Sequence, residues 1–187
     1  NAGADSILFG GESFQHKNLS LKNYSEAVEL AKSQGRKIYF ETPRIIRMNE
    51  EKFFTELLEF EPECFYVHNI AFADLLRIRG KKFRTNFSML TANLKTLEFL
   101  KNFGAVGATL SPELSLDQIR FLADNSPIEL DLIVHGRAEL MISSYCPLGT
   151  FLNSNEPCPM PCLQSRYFLR DRMNIDFPIV TDQFCRL

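Results

Sequence analysis

The chain has 187 residues, 45% hydrophobic and 24% charged, with a formal net charge of −2. This composition excludes a disordered chain and gives no overall basic field for nucleic acid, so RNA or DNA binding would need a local patch. No apolar run reaches the roughly 18–20 residues that span a bilayer, and the opening "NAGADSILFGG" lacks the charged and apolar regions of a signal peptide, so a cytoplasmic protein with no membrane contact is expected.

In chain order the pattern alternates. "DSILFGG" is short, apolar and closed by glycine, which predicts a buried strand. "NYSEAVELAKSQG" sets Tyr24, Ala27, Val28 and Ala31 at helical spacing before a Gly35 stop. "KIYFET" is the next strand. "NEEKFFTELLEF" is a helix with Asn49 as its expected cap. "CFYVHN" and "AFADLLRIRG" repeat the strand and helix, the latter ending at Gly80. "KFRTNFS" and "TANLKTLEFLKNFG" follow, then "VGATLSPE" and "SLDQIRFLADNS". "IELDLIVHGR" is the last clear strand. The end of the chain, including "YFLRDRMNIDFPIVTDQFC", holds a further strand or two without a firm place.

Strict alternation of strand and helix implies a parallel sheet with right-handed crossovers. The expected fold is α/β, a (β/α)8 TIM-like barrel. An open doubly wound sheet is the alternative, although no glycine-rich GxGxxG turn follows any strand. A closed barrel takes about 250 residues, and the chain starts without methionine. The expectation is therefore a barrel truncated at its N-terminus. Residues 1–137 are read as the barrel units. Residues 138–187 are read as a Cys-rich metal-binding segment that closes the barrel mouth within the same domain.

The active face of a parallel barrel lies at the carboxyl ends of its strands. The polar residues expected there are Glu12, then Glu41, Thr42 and Arg44, then His68 and Asn69. Asn86 and Ser88, Ser111 and Glu113, and His135 and Arg137 complete the set. Helix capping is the plain alternative for several of them. His135, Arg137 and Glu113 are ranked highest for catalysis. Glu12, Asn69 and Asn86 are read as substrate-binding, with Tyr145 and Arg166 from the tail.

Five cysteines occur, and four of them form the pattern C-x11-C-x3-C-x22-C: Cys146, Cys158, Cys162 and Cys185. An odd count without a secretion signal argues against a disulfide framework. Four soft thiolates suit either Zn²⁺ or an iron–sulfur cluster. The prolines of "PCPMPC" keep its backbone extended, which can aim two thiols at one metal. Cys64 opens a core strand and is read as packing. Proteolysis lacks local support, because neither HExxH nor GxSxG occurs.

The segments "NAGADSILFGGESF", "GRKIYFETPRI", "GAVGATLSPELSLDQI", "HGRAELMISSYCPLG", "CPMPC" and "LRDRMNIDFPIVTDQFCR" together resemble the peptidase U32 family, the collagenase-like proteins. They look most like the branch that includes the bacterial ribosomal-RNA hydroxylation protein. Despite the peptidase label, the resemblance implies oxygen-independent hydroxylation of an RNA base, rRNA before tRNA, dependent on prephenate. It also implies a 4Fe-4S cluster on Cys146, Cys158, Cys162 and Cys185, with Zn as the alternative. Many relatives carry a cysteine where Glu139 stands here, so the fourth ligand falls to Cys185. Ubiquinone-precursor hydroxylation, a metal-stabilised partner subunit and a peptidase are the other functions considered.

Overall fold

The computed structural model describes residues 3–12, 19–136, 142–152, 158, 160–182 and 185–186; Arg137 lies outside them. The chain divides into two compact units: Asn1–Gly11 with Ser20–Arg137, and Glu12–Leu19 with Ala138–Leu187.

The first unit holds β1 (Ser6–Gly10), α1 (Leu21–Ser33), β2 (Lys37–Glu41), α2 (Glu51–Glu56), β3 (Cys64–Val67) and α3 (Ile70–Ile78). It continues with β4 (Phe83–Thr85), α4 (Leu94–Phe103), β5 (Gly107–Thr109), α5 (Leu116–Asn125) and β6 (Glu129–Asp131). The six strands pair in sequence order, every pair parallel. They curl into half of a barrel. The order without a reversal excludes the doubly wound alternative, whose strand order turns back at a switch point.

Residue pattern explains which face is which. In α1, Tyr24, Val28 and Ala31 recur at i, i+4 and i+7 and are buried. They pack with the outward side chains of the strands: Tyr24 lies edge-on to Phe9 of β1 and Phe40 of β2, at 5.0 and 4.9 Å between ring centroids. Phe40, Phe65, Val67, Phe83 and Ala108 alternate along their strands on this face and are almost wholly buried with Leu76, Leu97 and Leu100 from the helices. Truncating one of these phenylalanines to alanine costs about 3–5 kcal/mol.

The opposite face is polar. Parallel partners share a face, so the pairs Glu41↔Tyr66, Tyr66↔Arg84, Arg84↔Gly107 and Gly107↔Glu129 make one rung around the inside of the sheet. Arg84 donates from Nε to Asp131 at 2.8 Å and from Nη1 to Glu129 at 2.6 Å. Tyr66 donates its hydroxyl to the same Asp131 oxygen at 3.0 Å. Gly107 leaves room beneath this network: a Cβ there would overlap the Arg84 guanidinium and force it to shift from its two carboxylates. Burial alone would lower the Arg84 pKa; its two carboxylate bonds more than offset this and raise it.

Two expectations change in detail. The residue that precedes α2 is Glu50, not Asn49; Glu50 accepts the Arg47 N–H at 3.2 Å, closing the turn that starts the helix. The strand read from "IELDLIVHGR" stops at Asp131, and Leu132, Ile133 and Val134 follow it exposed. The strand or two expected near the chain's end, which had no firm place, are present as a separate antiparallel pair.

The second unit contains a short helix α6 (Pro147–Leu152) and two strands, β7 (Phe168–Arg170) and β8 (Asp176–Pro178), which pair antiparallel with one another. The "LRDRMNIDFP" segment is this hairpin. Asp171 Oδ1 accepts the N–H groups of Met173 and Ile175 at 2.8 and 2.9 Å, Asn174 takes the left-handed conformation at φ +61°, and Arg170 grips Asp176 through two bonds of 2.6 and 2.8 Å.

Candidate active site

The end of β2 and the segments after β3 and β4 place four polar side chains together at the carboxyl ends of the strands, where a parallel barrel does its chemistry. Glu41 ends β2. His68 follows β3 and is buried. Asn86 follows β4 and is buried, and Ser88 sits in the single 3₁₀ turn Phe87–Met89 that comes next.

Glu41 Oε1 accepts from His68 Nε2 at 2.8 Å and also from Asn86 Nδ2. The other imidazole nitrogen, Nδ1, lies 2.6 Å from Ser88 Oγ. Ser88 Oγ also lies within hydrogen-bond reach of the His68 carbonyl, at 3.3 Å. Phe87 stands edge-on to the imidazole at 5.9 Å, and the Arg44 guanidinium lies 4.9 Å over the Phe87 ring. The cluster thus joins a carboxylate, an imidazole, a hydroxyl, an amide and a cation stacked on an aromatic ring.

The second glycine of "FGGESF" makes room for the carboxylate. Gly11 has φ +70°, and a Cβ there would stand 2.7 Å from Glu41 Oε2. Its N–H donates to the Glu41 carbonyl at 2.9 Å. Tyr24 lies beneath; burial, and after it the Glu41 charge, raises its hydroxyl above the phenol range.

The residues named from the sequence distribute unevenly. Asn86 lies inside the cluster. Asn69 borders it, with its side chain spent on structure: Oδ1 caps α3 by accepting the Phe72 N–H at 2.9 Å, and Nδ2 donates to the carbonyls of Pro43 and Arg44 at 3.3 and 3.4 Å. His135 and Glu113 are exposed residues of the same unit, and the Glu113 N–H donates to Ser111 Oγ at 3.4 Å. Glu12, Tyr145 and Arg166 belong to the second unit, the last two exposed. Glu41, His68 and Ser88 were named as mouth residues but ranked below His135 and Glu113. The buried Arg84–Asp131 network was missed. Its signal was present in "FYVHN", "FRTNF" and "ELD", where every second residue of a strand in a parallel sheet is polar.

Cys146, Cys158, Cys162 and Cys185 all fall in the second unit. Cys146 precedes α6 and its Sγ accepts the Gly149 N–H at 3.3 Å. Cys162 lies in the 3₁₀ turn Pro161–Leu163. Cys185 takes φ +58° in a turn closed by Asp182 and Arg186, a buried pair at 2.6 Å. The donors fit a thiolate-held group by chemistry: four soft ligands, one with an N–H bond to sulfur of the kind that tunes clusters. Among the described residues no group of three or more His, Cys, Asp or Glu side chains is placed to hold a metal ion. Cys64 is buried in β3, and burial pushes its thiol up to about 12.

Among the described residues, no helix is long and apolar enough to cross a membrane. The family model described as peptidase family U32 matches residues 1–174. An uncharacterized protease of Methanocaldococcus jannaschii is 24% identical over 96% of this chain and 48% of its own length. The tRNA hydroxylation protein P of Haemophilus influenzae is 25% identical over 86% of this chain and 37% of its own. A 23S rRNA 5-hydroxycytidine synthase of Escherichia coli is 24% identical over 77% and 23%. The chain thus spans half or less of the length of these relatives. No solved structure matches it.

Proposed function

The chain belongs to peptidase family U32, and we propose that it supports hydroxylation of an RNA base, with the Glu41–His68–Asn86–Ser88 cluster at the reacting face. The observation that carries this reading is the agreement of relatives named for tRNA and for 23S rRNA hydroxylation over 77–87% of this chain. Both RNA classes occur among those names, so the proposal is an RNA base rather than one RNA.

The cluster has suitable chemistry. Single-stranded RNA is held by stacking of bases on aromatic rings and by cations on phosphate. Arg44 over Phe87 offers both beside the imidazole. The net charge of −2 makes such a local cation necessary. His68 holds or moves a proton, Asn86 fixes the Glu41 carboxylate, and Glu41 orients the ring.

Cys146, Cys158, Cys162 and Cys185 are proposed to hold a 4Fe-4S cluster. When bound it would supply a route for electrons, which hydroxylation without O₂ requires. Arg166 and Tyr145 are proposed for contact with RNA or with a carboxylated metabolite such as prephenate, and His135 and Glu113 for substrate contact.

The test is nucleoside mass spectrometry of total tRNA and rRNA from cells with and without the gene. A nucleoside heavier by one oxygen is expected to vanish on deletion and return on complementation. Identical nucleoside profiles would remove the proposal.

A further inference from the structure

We propose that Ser88, His68 and Glu41 form a proton relay in which Ser88 Oγ is the port, His68 Nδ1 the acceptor and Glu41 the positioning residue. The hydrogen bonds themselves assign the protons. An ionised carboxylate only accepts, and Glu41 Oε1 takes two donors, His68 Nε2–H and Asn86 Nδ2–H. The proton of neutral His68 is therefore on Nε2. Nδ1 keeps its lone pair, and the Ser88 hydroxyl donates to it across 2.6 Å.

The second acceptor of Ser88 makes the arrangement reversible. When His68 gains a proton, Nδ1–H donates to Ser88 Oγ, and the Ser88 hydroxyl turns to the His68 carbonyl at 3.3 Å. Both protonation states then leave every polar atom of the pair satisfied, so the transfer carries no penalty of an unpaired buried group. A histidine kept only for packing needs no such second state. The imidazole is buried, whereas Ser88 is half-exposed at the strand ends. A proton therefore enters through the hydroxyl.

The step balances without a co-reactant. A water, O–H or N–H group bonded to Ser88 Oγ gives its proton to Oγ while the Ser88 proton passes to His68 Nδ1. The bonding electrons stay with the donor, which becomes a nucleophile or an anion. The imidazolium rests against the Glu41 carboxylate. Return of the proton to product or solvent resets the relay, and nothing is oxidised or reduced. The identity of the donor, an attacking water or a group of an RNA base, rests on the proposed function; the relay does not.

The test uses the full chain with ¹⁵N-labelled histidine, of which there are three. Long-range ¹H–¹⁵N spectra are expected to show His68 with Nε2 protonated and Nδ1 unprotonated. Ser88→Ala is expected to shift the Nδ1 resonance, and Glu41→Gln to redistribute the tautomers. An Nδ1–H tautomer in the wild type, or an Nδ1 resonance that ignores Ser88→Ala, overturns the relay. In turnover on RNA, Ser88→Ala should lower kcat about 10²-fold with KM nearly unchanged, and Ser88→Thr should restore part of it. Equal loss in both variants, or loss confined to KM, contradicts the relay. Covalent capture of Ser88 by an alkyl fluorophosphonate would make the serine a nucleophile and also overturn it. Absent RNA hydroxylation with the expected spectra would sink the proposed function and leave the relay standing.

Discussion

His68 Nδ1 and Ser88 Oγ, on residues twenty positions apart, meet at 2.6 Å because β3 and β4 are parallel neighbours whose following loops leave the sheet on the same side. Together with the pairing of β2 and β3, it brings Asn86 to Glu41, forty-five positions away. The site is a product of register: Glu41 ends β2, His68 follows β3, and Asn86 and Ser88 follow β4, so three separate stretches of chain meet.

Asn69 tests the difference between a substrate contact and a cap. Asn69→Ala removes the acceptor for the Phe72 N–H and the two bonds to the carbonyls of residues 43 and 44. The expected cost is about 1–2 kcal/mol in urea unfolding, with Asn69→Asp recovering the cap share. Turnover per folded molecule should stay close to wild type. A variant of unchanged stability and lost turnover would return Asn69 to substrate binding.

Acid should loosen the inner rung. The Glu129 carboxyl is held below its usual range by its hydrogen bond from Arg84, then by the Arg84 charge. A carboxyl depressed in the folded state adds stability above its unfolded pKa, near 4.3, and loses it as pH falls through the folded value. Wild type should therefore exceed Glu129→Gln in stability at neutral pH. The difference is small, because Glu129 is largely exposed, and it should close below pH about 4. Urea midpoints measured across that range check this, and a gap that widens in acid would be the opposite sign.

Cysteine reactivity should divide the chain. The Cys64 thiol, raised by burial to about 12, is protonated at neutral pH and inert, whereas Cys158 is exposed. Alkylation of the metal-free native chain, read by peptide mass spectrometry, should spare Cys64 until denaturant is added. Native labelling of Cys64 as fast as Cys158 would contradict its place in β3.

Iron should follow the four tail thiols. Anaerobic preparations are expected to carry about four irons per chain, and serine at Cys146, Cys158, Cys162 or Cys185 should lower that number. Asp182→Ala should lower it as well, because it breaks the buried pair that closes the Cys185 turn. A preparation with zinc instead, or with no metal, would remove the cluster.

The alternating units were legible in the sequence because each carries its own period: Tyr24, Val28 and Ala31 mark α1, and β-rich apolar runs mark the strands. The set of residues at the strand ends was legible for the same reason, including Glu41, His68, Asn86 and Ser88. Their convergence was not, since it depends on how far β2, β3 and β4 slide past one another, and local pattern leaves that register open. His135 and Glu113 ranked higher because they lie near the cysteines in sequence or at an expected strand end, and neither ground says much about which side chains meet in space. The Arg84 network hid for a related reason: its members sit on β3, β4 and β6, and only the curl of the sheet lets Tyr66 and Arg84 reach one Asp131 oxygen. The tail strands were legible but without a firm place, because the turn between them is closed by bonds to the Asp171 side chain, which hydrophobic period does not register.

The most direct test of a reacting face built around His68 is a chromosomal His68→Gln substitution, followed by nucleoside mass spectrometry of cellular RNA and immunoblotting for the protein. The expected result is loss of the oxygen-bearing nucleoside while the protein accumulates at its normal level. Full retention of that nucleoside in the His68→Gln strain would contradict the account.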